Sequence, residues 1–257
     1  IMLKSRYAPD RVNTFTSLLQ YYDGRADMPG GLTRSDYHAN RWQSTRPYDQ
    51  FWGRRELASL GYQYQPDMQH KFNVLGFFTH TLRNGYLQQG SKITLSPREY
   101  WVRGIEPRYS QSFLLGPSAQ EVSIGYRYIS ESSHEMRYYT PTAQGILPSV
   151  SSPYDRDTRS GTEAHAVYAD DRIDIGNWTI TPGMRFEHIE SYQNDALKNT
   201  HQKNSYNAPL PALSVLYHLT DSWNLYANTE GSFGTVQYSQ VGKAVSSGSV
   251  EPEKART

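Results

Sequence analysis

The sequence contains no cysteine and no long apolar run. Without cysteine among its 257 residues, it has no disulfides and no thiolate metal sites, which excludes a small secreted module held together by disulfides. No stretch approaches the roughly 18 to 20 consecutive apolar residues that a membrane-spanning helix requires. An excess of one charge is also missing, since 26 Lys and Arg face 25 Asp and Glu. The composition therefore gives no indication of nucleic-acid binding.

Aromatic residues are abundant although the chain as a whole is polar. It has 21 tyrosines, only 37% hydrophobic residues and a mean hydropathy of −0.74. A strand in the wall of a water-filled barrel has one apolar face and one polar face, so its mean hydropathy stays low. Tyrosine and tryptophan favour the boundary between membrane and water. This composition is typical of a barrel wall and unlike that of a globular domain with a large core.

Alternation with a period of two is the clearest pattern in the chain. Between 178 and 187, large apolar residues occupy the even positions, while threonine, glycine and charged residues occupy the odd ones. The same alternation occurs at 122–128, 213–219 and 223–228. Each segment is predicted to be a strand with one face toward lipid and the other toward the lumen.

Short and long connections alternate between the predicted strands, as they do in outer-membrane barrels. The predicted short periplasmic turns are Pro9-Asp10-Arg11, Pro66-Asp67-Met68-Gln69, Gly116-Pro117-Ser118, Gly176-Asn177 and Thr220-Asp221-Ser222. The predicted long extracellular loops are Gly24–Gly53, Gln88–Pro107, Thr140–Gly161, Asp195–Asn207 and Tyr238 to the end. The expected fold is all-β, and the chain is expected to contribute about ten strands to an antiparallel transmembrane β-barrel. That number is too small to close a wide barrel.

A soluble β-sandwich or jelly roll also contains strands with a period of two. Its strands are usually about 5 to 6 residues long. The segments around 70–84, 120–139 and 178–194 continue for much longer than that. Their length favours tilted strands that span a membrane and extend beyond it.

Four stretches of the chain closely match the amino-acid sequences of a known family. They are Arg46–Asp49, Tyr100–Gln111, Ser152–His165 and Asn177–Tyr192. In these stretches the chain resembles ferric citrate receptors of the TonB-dependent outer-membrane receptor family.

The resemblance implies a multi-pass protein of the bacterial outer membrane, with a 22-stranded barrel filled by an N-terminal plug. It implies transport of ferric citrate with energy from the TonB–ExbB–ExbD machinery, which contacts the plug and its TonB box. Residues 1–257 are then expected to be part of the barrel domain. The signal peptide, the plug domain and the C-terminal strands are expected to lie outside this chain.

Arginine is the side chain best suited to hold an anionic ferric citrate complex, because its planar guanidinium presents paired donors to a carboxylate. Arg83, Arg98 and Arg156 match the arginines that hold the ligand in the family that the chain resembles. We expect citrate itself to supply the iron ligands, so no metal site and no cofactor is expected in the protein. Other arginines in or near the predicted loops are weaker candidates: Arg34, Arg41, Arg46, Arg103, Arg108 and Arg159.

No catalytic site is predicted, and the chain is not expected to be an enzyme. The histidine and carboxylate spacings, such as His134-Glu135, match no recognised metal motif, and there is no nucleophile elbow or phosphate loop. On a strand, Glu187 and His188 point to opposite faces, with Glu187 toward the lumen.

Two other functions remain open from the sequence. An all-β carbohydrate-binding module, soluble or at the cell surface, could stack its tyrosines on sugars, and a passive porin would have a barrel without a plug. For the receptor, the loop Gln237–Val250, which is rich in serine and glycine, is the candidate segment for ordering when ligand binds.

Overall fold

The computed structural model describes residues 1–234 and 253–256, which form one antiparallel sheet with a single short α-helix. The first strands are β1 (Met2–Tyr7), β2 (Asn13–Asp27), β3 (Gln50–Tyr64), β4 (His70–Gln89), β5 (Lys92–Leu95) and β6 (Arg98–Leu115). They are followed by β7 (Ser118–Pro141), β8 (Tyr154–Ile175), β9 (Trp178–Asp195), β10 (Thr200–Thr220), β11 (Trp223–Gly234) and β12 (Glu253–Arg256). The helix α1 (Arg34–Ala39) lies between β2 and β3, and a 3-10 turn (Thr142–Gln144) follows β7.

Strands that follow one another in the chain lie side by side in the sheet. Both β5 and β6 pair with β4 on one side and with β7 on the other. Their register against each neighbour is the same, so they are two parts of one long strand. The interruption falls at Ser96-Pro97, because proline has no N–H to donate to the ladder. With β5 and β6 taken together, residues 1–234 form ten strands, which confirms the predicted number.

All five predicted short turns lie at one end of the sheet, between β1 and β2, β3 and β4, β6 and β7, β8 and β9, and β10 and β11. Aspartate side chains close two of them. Asp10 accepts hydrogen bonds from the backbone N–H groups of Val12 and Asn13, at 2.8 and 2.7 Å. Asp67 does the same for Gln69 and His70. These side chains replace the strand hydrogen bonds that a tight turn leaves unmade.

Two of the predicted long loops are wrong. The segment Gln88–Pro107 is strand except at the turn near Gly90 and at Ser96-Pro97. The segment Asp195–Asn207 is also mostly strand, because β9 and β10 pair as far as Asp195 and Thr200. Polar residues and prolines suggested loops there. The backbone of these segments is nevertheless paired with neighbouring strands.

The other two predicted loops are real but shorter than expected. They span 28–49 and 142–153, and α1 occupies part of the first. The predicted loops from Tyr238 onward and at Gln237–Val250 lie outside the described residues except for β12, so the expectation that Gln237–Val250 becomes ordered when ligand binds stays a prediction.

The 28–49 loop is fastened to the sheet. Thr33 caps α1, because its hydroxyl accepts a hydrogen bond from the backbone N–H of Asp36 at 3.2 Å. The Arg46 guanidinium donates to the carbonyl of Gln88, and the N–H of Gln88 donates to Asp49 at 2.6 Å. The loop is therefore held over the end of β4 that lies opposite the short turns. We call this end of the sheet the loop end or upper end.

The two faces of the sheet differ as the alternation predicts. Phe186, Val167 and Ile124 lie on one face, and more than half of the surface of each is exposed. Arg185, Glu187 and other polar residues lie on the opposite, concave face. No second sheet packs against either face within residues 1–234 and 253–256, so the sandwich arrangement is excluded for this region. We call the apolar face the outer face and the concave face the lumen face.

No α-helix in the described part of the chain is long and apolar enough to cross a membrane.

Glycine allows close packing between strands at Gly104 on the lumen face. A Cβ there would lie 2.6 Å from the carbonyl oxygen of Tyr128 and 2.5 Å from the ring of Phe77. We expect Gly104→Ala to lower the free energy of unfolding by about 1 to 3 kcal/mol, because it overpacks this contact. Urea unfolding of the full-length protein in detergent measures the change.

Gly76 provides the matched control, because it lies in the neighbouring strand and a Cβ there would meet nothing within 4 Å. Gly76→Ala should leave stability unchanged or raise it by up to about 1 kcal/mol. Equal effects at the two positions would show that close packing at Gly104 is unimportant.

Candidate ligand-binding site

Arginines cluster on the lumen face at the loop end of the sheet. Arg83 of β4 lies directly opposite Arg98 of β6, and Arg98 lies opposite Glu135 of β7. Two residue pairs further toward the loop end, Arg137 of β7 lies opposite Arg156 of β8. The three arginines predicted from the resemblance thus reach one region of one face, although they come from three different strands.

Glu135 links two of these three arginines. Its carboxylate accepts a hydrogen bond from Nη1 of Arg156 at 3.2 Å and lies 4.0 Å from Nε of Arg98. The hydroxyl of Tyr100 donates to its other oxygen at 2.9 Å. The Glu135 side chain is 22% exposed, compared with 35% for Arg98 and 39% for Arg156. The guanidiniums are therefore accessible to a ligand from the lumen, and the carboxylate is more shielded.

Asp155 serves the neighbouring cations. Its carboxylate accepts a 2.6 Å hydrogen bond from Nε of Arg137 and lies 3.7 Å from Nζ of Lys92. Partial burial acts to raise the pKa of Asp155, but Arg137 and Lys92 outweigh it and hold the pKa below its usual value. Asp155 therefore stays ionised and ties the upper ends of β5, β7 and β8 together.

Arg83 differs from the other two arginines in its surroundings. Its guanidinium lies 5.6 Å from the centre of the Phe51 ring, which is a cation–π contact. Among the residues that the structure describes, no carboxylate forms an ion pair with it. Arg83 and Arg98 border a smaller depression of about 400 Å³, whereas Arg98 and Arg156 border the main one.

The main depression on the lumen face has a volume of about 1160 Å³. Farther from the loop end on the same face, polar residues pair across three strands. Arg108 donates to Asp170 at 3.1 Å, and the hydroxyl of Tyr168 donates to Glu106 at 2.9 Å. The Tyr168 ring crosses over Gly125, where a Cβ would come within 2.3 Å of it. This lower part is largely neutralised by its own ion pairs, whereas the upper part carries the surplus of arginine.

The remaining candidate residues have structural partners or lie elsewhere. Arg108 is paired with Asp170, and Arg46 fastens the 28–49 loop. Arg103 and Arg159 lie on the outer face, opposite Ser130 and Asn194. Arg41 lies 4.9 Å from the Trp42 ring in the same loop, which also contains Arg34 in α1.

The histidines mostly form local contacts on the outer face. His134 and Glu135 point to opposite faces, and His134 pairs with Asp157 at 2.9 Å. His188 contacts Glu190, whereas Glu187 faces the lumen beside Arg185, as the parity of these neighbours predicts. Within residues 1–234 and 253–256, no group of three or more His, Asp or Glu is arranged to hold a metal ion.

Sequence reasoning missed Glu135, Tyr100, Arg137 and Asp155 as members of the site. The available signal was parity, since Tyr100 has the parity of Arg98 on β6. Parity alone does not give the register between strands that are 37 residues apart, as Arg98 and Glu135 are. Their convergence became visible only from the strand pairing.

The ion pairs of Asp155 predict a defined pH dependence of stability. A carboxyl with a lowered pKa in the folded state stabilises the fold above its unfolded pKa of about 3.9, and this contribution is lost as the pH falls through the folded pKa. The difference in melting temperature between wild type and Asp155→Asn should stay constant from pH 8 to 5 and shrink only near and below the unfolded pKa. A difference that already changes between pH 7 and 6 would contradict this assignment.

Comparison with known proteins agrees with this architecture. A family model described as TonB dependent receptor-like, beta-barrel matches residues 3–257. The solved structure of the ferric citrate transporter FecA in the unliganded form is 80% identical over 99% of this chain, with a TM-score of 0.97. The chain spans 39% of the length of that FecA chain.

More distant receptors share the fold alone. The ferric yersiniabactin uptake receptor FyuA from Yersinia pestis is 18% identical, with a TM-score of 0.67 over 91% of this chain and 37% of its own. The siderophore receptor PiuA from Acinetobacter baumannii is 11% identical, with a TM-score of 0.72 over 90% of this chain and 41% of its own. With nearly the whole sequence matched by the family model, the chain belongs to the TonB-dependent receptor-like β-barrel family.

Proposed function

We propose that this chain forms the ligand-binding side of a bacterial outer-membrane receptor that imports ferric citrate. The observation that carries the proposal is the arginine cluster Arg83, Arg98 and Arg156 at the loop end of the lumen face, in a chain 80% identical to the ferric citrate transporter FecA. A cluster with surplus positive charge at the entrance of a lumen is suited to capture a compact polyanion.

The chemistry of the cluster fits citrate carboxylates. A guanidinium stays charged at every physiological pH and donates two parallel hydrogen bonds to one carboxylate. Arg98 and Arg156 border the main depression, and Arg83 lies directly opposite Arg98 on the neighbouring strand, so the three guanidiniums can contact different carboxylates of the same complex. Citrate supplies the ligands of the iron in this proposal, and the protein contributes no metal ligand, no cofactor and no catalytic group.

The outer face is proposed to contact lipid, which makes the chain a multi-pass membrane protein. Its apolar side chains include Phe15, Leu60, Ile124, Val167 and Phe186, all of them on one face and exposed. Strands of 18 to 24 residues, such as β9 and β7, exceed the roughly 9 to 11 residues that cross a bilayer. The surplus length would extend beyond the membrane and carry the arginine cluster there.

Energy coupling is proposed to involve parts of the receptor other than this chain. The family model that matches residues 3–257 describes a β-barrel, so in this proposal the TonB–ExbB–ExbD machinery acts through a plug domain and its TonB box. The two alternatives are less well supported. A carbohydrate-binding sandwich does not agree with the single sheet, and a passive porin does not account for the match to a TonB-dependent receptor.

Substitution of the arginines tests the ligand assignment. In the full-length receptor in detergent, Arg83→Gln, Arg98→Gln and Arg156→Gln should each raise the Kd for ferric citrate by about 10- to 100-fold, because each removes a charge-assisted contact of about 1.5 to 3 kcal/mol. Isothermal titration or quenching of tryptophan fluorescence measures the Kd.

Arg103→Gln and Arg159→Gln are matched controls, because each lies on the same strand as a candidate arginine but on the outer face. They should change the Kd less than about twofold. If the lumen and outer-face variants bind equally well, the cluster does not hold the ligand. Absence of selective binding to ferric citrate by the wild type would overturn the proposed substrate.

A charge on the outer face tests the lipid contact. Phe186→Arg should lower the free energy of unfolding in lipid vesicles by about 2 to 4 kcal/mol if the residue lies near the membrane midplane. Thr181→Arg places the same charge on the lumen face of the same strand and should cost much less. Equal losses for the two variants would contradict the assignment of the faces.

A further inference from the structure

Glu135 occupies the position among the arginines that a ligand carboxylate would need. Its two oxygens face three donor groups from two strands: the Tyr100 hydroxyl at 2.9 Å and, more distantly, Nε of Arg98 at 4.0 Å on β6, and Nη1 of Arg156 at 3.2 Å on β8. Two of these donors are arginines that we assign to citrate. The protein therefore already presents one carboxylate to its own anion site.

The arrangement of charges explains why a carboxylate is present there. Arg83 lies opposite Arg98, and Arg137 lies opposite Arg156, so two like-charged pairs face each other across neighbouring strands. Like charges in directly opposite positions destabilise a sheet. Arg137 has Asp155 as its counter-ion, which leaves Glu135 to neutralise Arg98 and Arg156.

We propose that Glu135 is an internal counter-ion that holds the place of a citrate carboxylate in the ligand-free receptor and lowers the affinity for the ligand. This inference rests on the proposed function. When the ligand binds, a citrate carboxylate takes over the donors of Arg98 and Arg156, and Glu135 retains the hydrogen bond from Tyr100. Glu135 is thus a residue that sets affinity, not one that holds the ligand.

The contact geometry is suited to such an exchange. The distance of 4.0 Å to Arg98 is longer than a direct hydrogen bond, and the distance of 3.2 Å to Arg156 exceeds the roughly 2.7 to 2.9 Å that is typical of charged partners. Tyr100 fixes the carboxylate from the other side, so Glu135 stays close after the exchange. Because its negative charge then repels the anionic ligand, Glu135 favours dissociation of the ligand.

Neutralising Glu135 tests the proposal. Glu135→Gln keeps the size of the side chain and an oxygen that can accept from Tyr100, but it removes the charge. In the full-length receptor at low salt, the Kd for ferric citrate should fall by about tenfold, because one repulsive charge next to the ligand is lost. The gain should shrink as salt is raised, since salt screens the repulsion in this solvent-accessible site.

Two carboxylates serve as controls. Glu99→Gln neutralises the residue next to Arg98 in the chain, which points to the outer face and contacts His80 at 2.8 Å. Glu187→Gln neutralises a lumen-facing carboxylate that pairs with Arg185. Both should change the Kd by less than about threefold, because long-range effects of charge are weak in water.

A second variant keeps the proposal testable if the first one misfolds. Glu135→Ser also removes the charge and should reproduce the gain, so agreement between the two variants supports the counter-ion role. A Kd that rises in both variants would show that Glu135 organises the arginines for binding. A Kd that stays constant would show that Glu135 does not influence binding. Either result overturns this inference while leaving the proposed function in place. Failure of the wild type to bind ferric citrate overturns both.

Discussion

Continuous antiparallel pairing is the constraint on which the rest of this structure depends. From Met2 to Gly234 each long strand pairs with the next, and even the break at Ser96-Pro97 leaves the register unchanged on both sides. Because the side-chain period of a strand is two, a fixed register decides both the face and the height of every residue. A slip of one residue would exchange the outer and lumen faces and disperse the arginine cluster.

The lumen face shows how a polar sheet surface is stabilised. Most of its charged side chains have polar partners. Arg108 pairs with Asp170, and Tyr168 donates a hydrogen bond to Glu106, each across an intervening strand. Such exposed pairs contribute little stability individually. Their main effect is to neutralise the lower lumen, which leaves the surplus of positive charge at the loop end. The uncompensated charge of the lumen face is thus concentrated at its loop end.

Much of the architecture was predictable from local patterns. The five short turns, the alternation from Trp178 to Phe186 and the number of strands all follow from signals within a few residues of one another. The loop boundaries did not, because the polar residues near the loop end of these long strands look like loop residues. For Gln88–Pro107 and Asp195–Asn207, hydrogen bonds to neighbouring strands outweighed local polarity. The resemblance of the sequence to ferric citrate receptors supplied Arg83, Arg98 and Arg156, which no local pattern distinguishes from other arginines.

By itself, the sequence determined the class of fold, the faces of the strands and the turn end of the sheet, because period-two alternation and turn chemistry are local properties of the chain. Only the tertiary structure decided that Glu135 lies between Arg98 and Arg156, and that Asp155 is engaged by Arg137 and Lys92. The two members of such a contact are up to 63 positions apart in the chain, as Lys92 and Asp155 are. Their meeting depends on cross-strand register, which is set by the sum of many backbone hydrogen bonds and side-chain pairs along several strands at once.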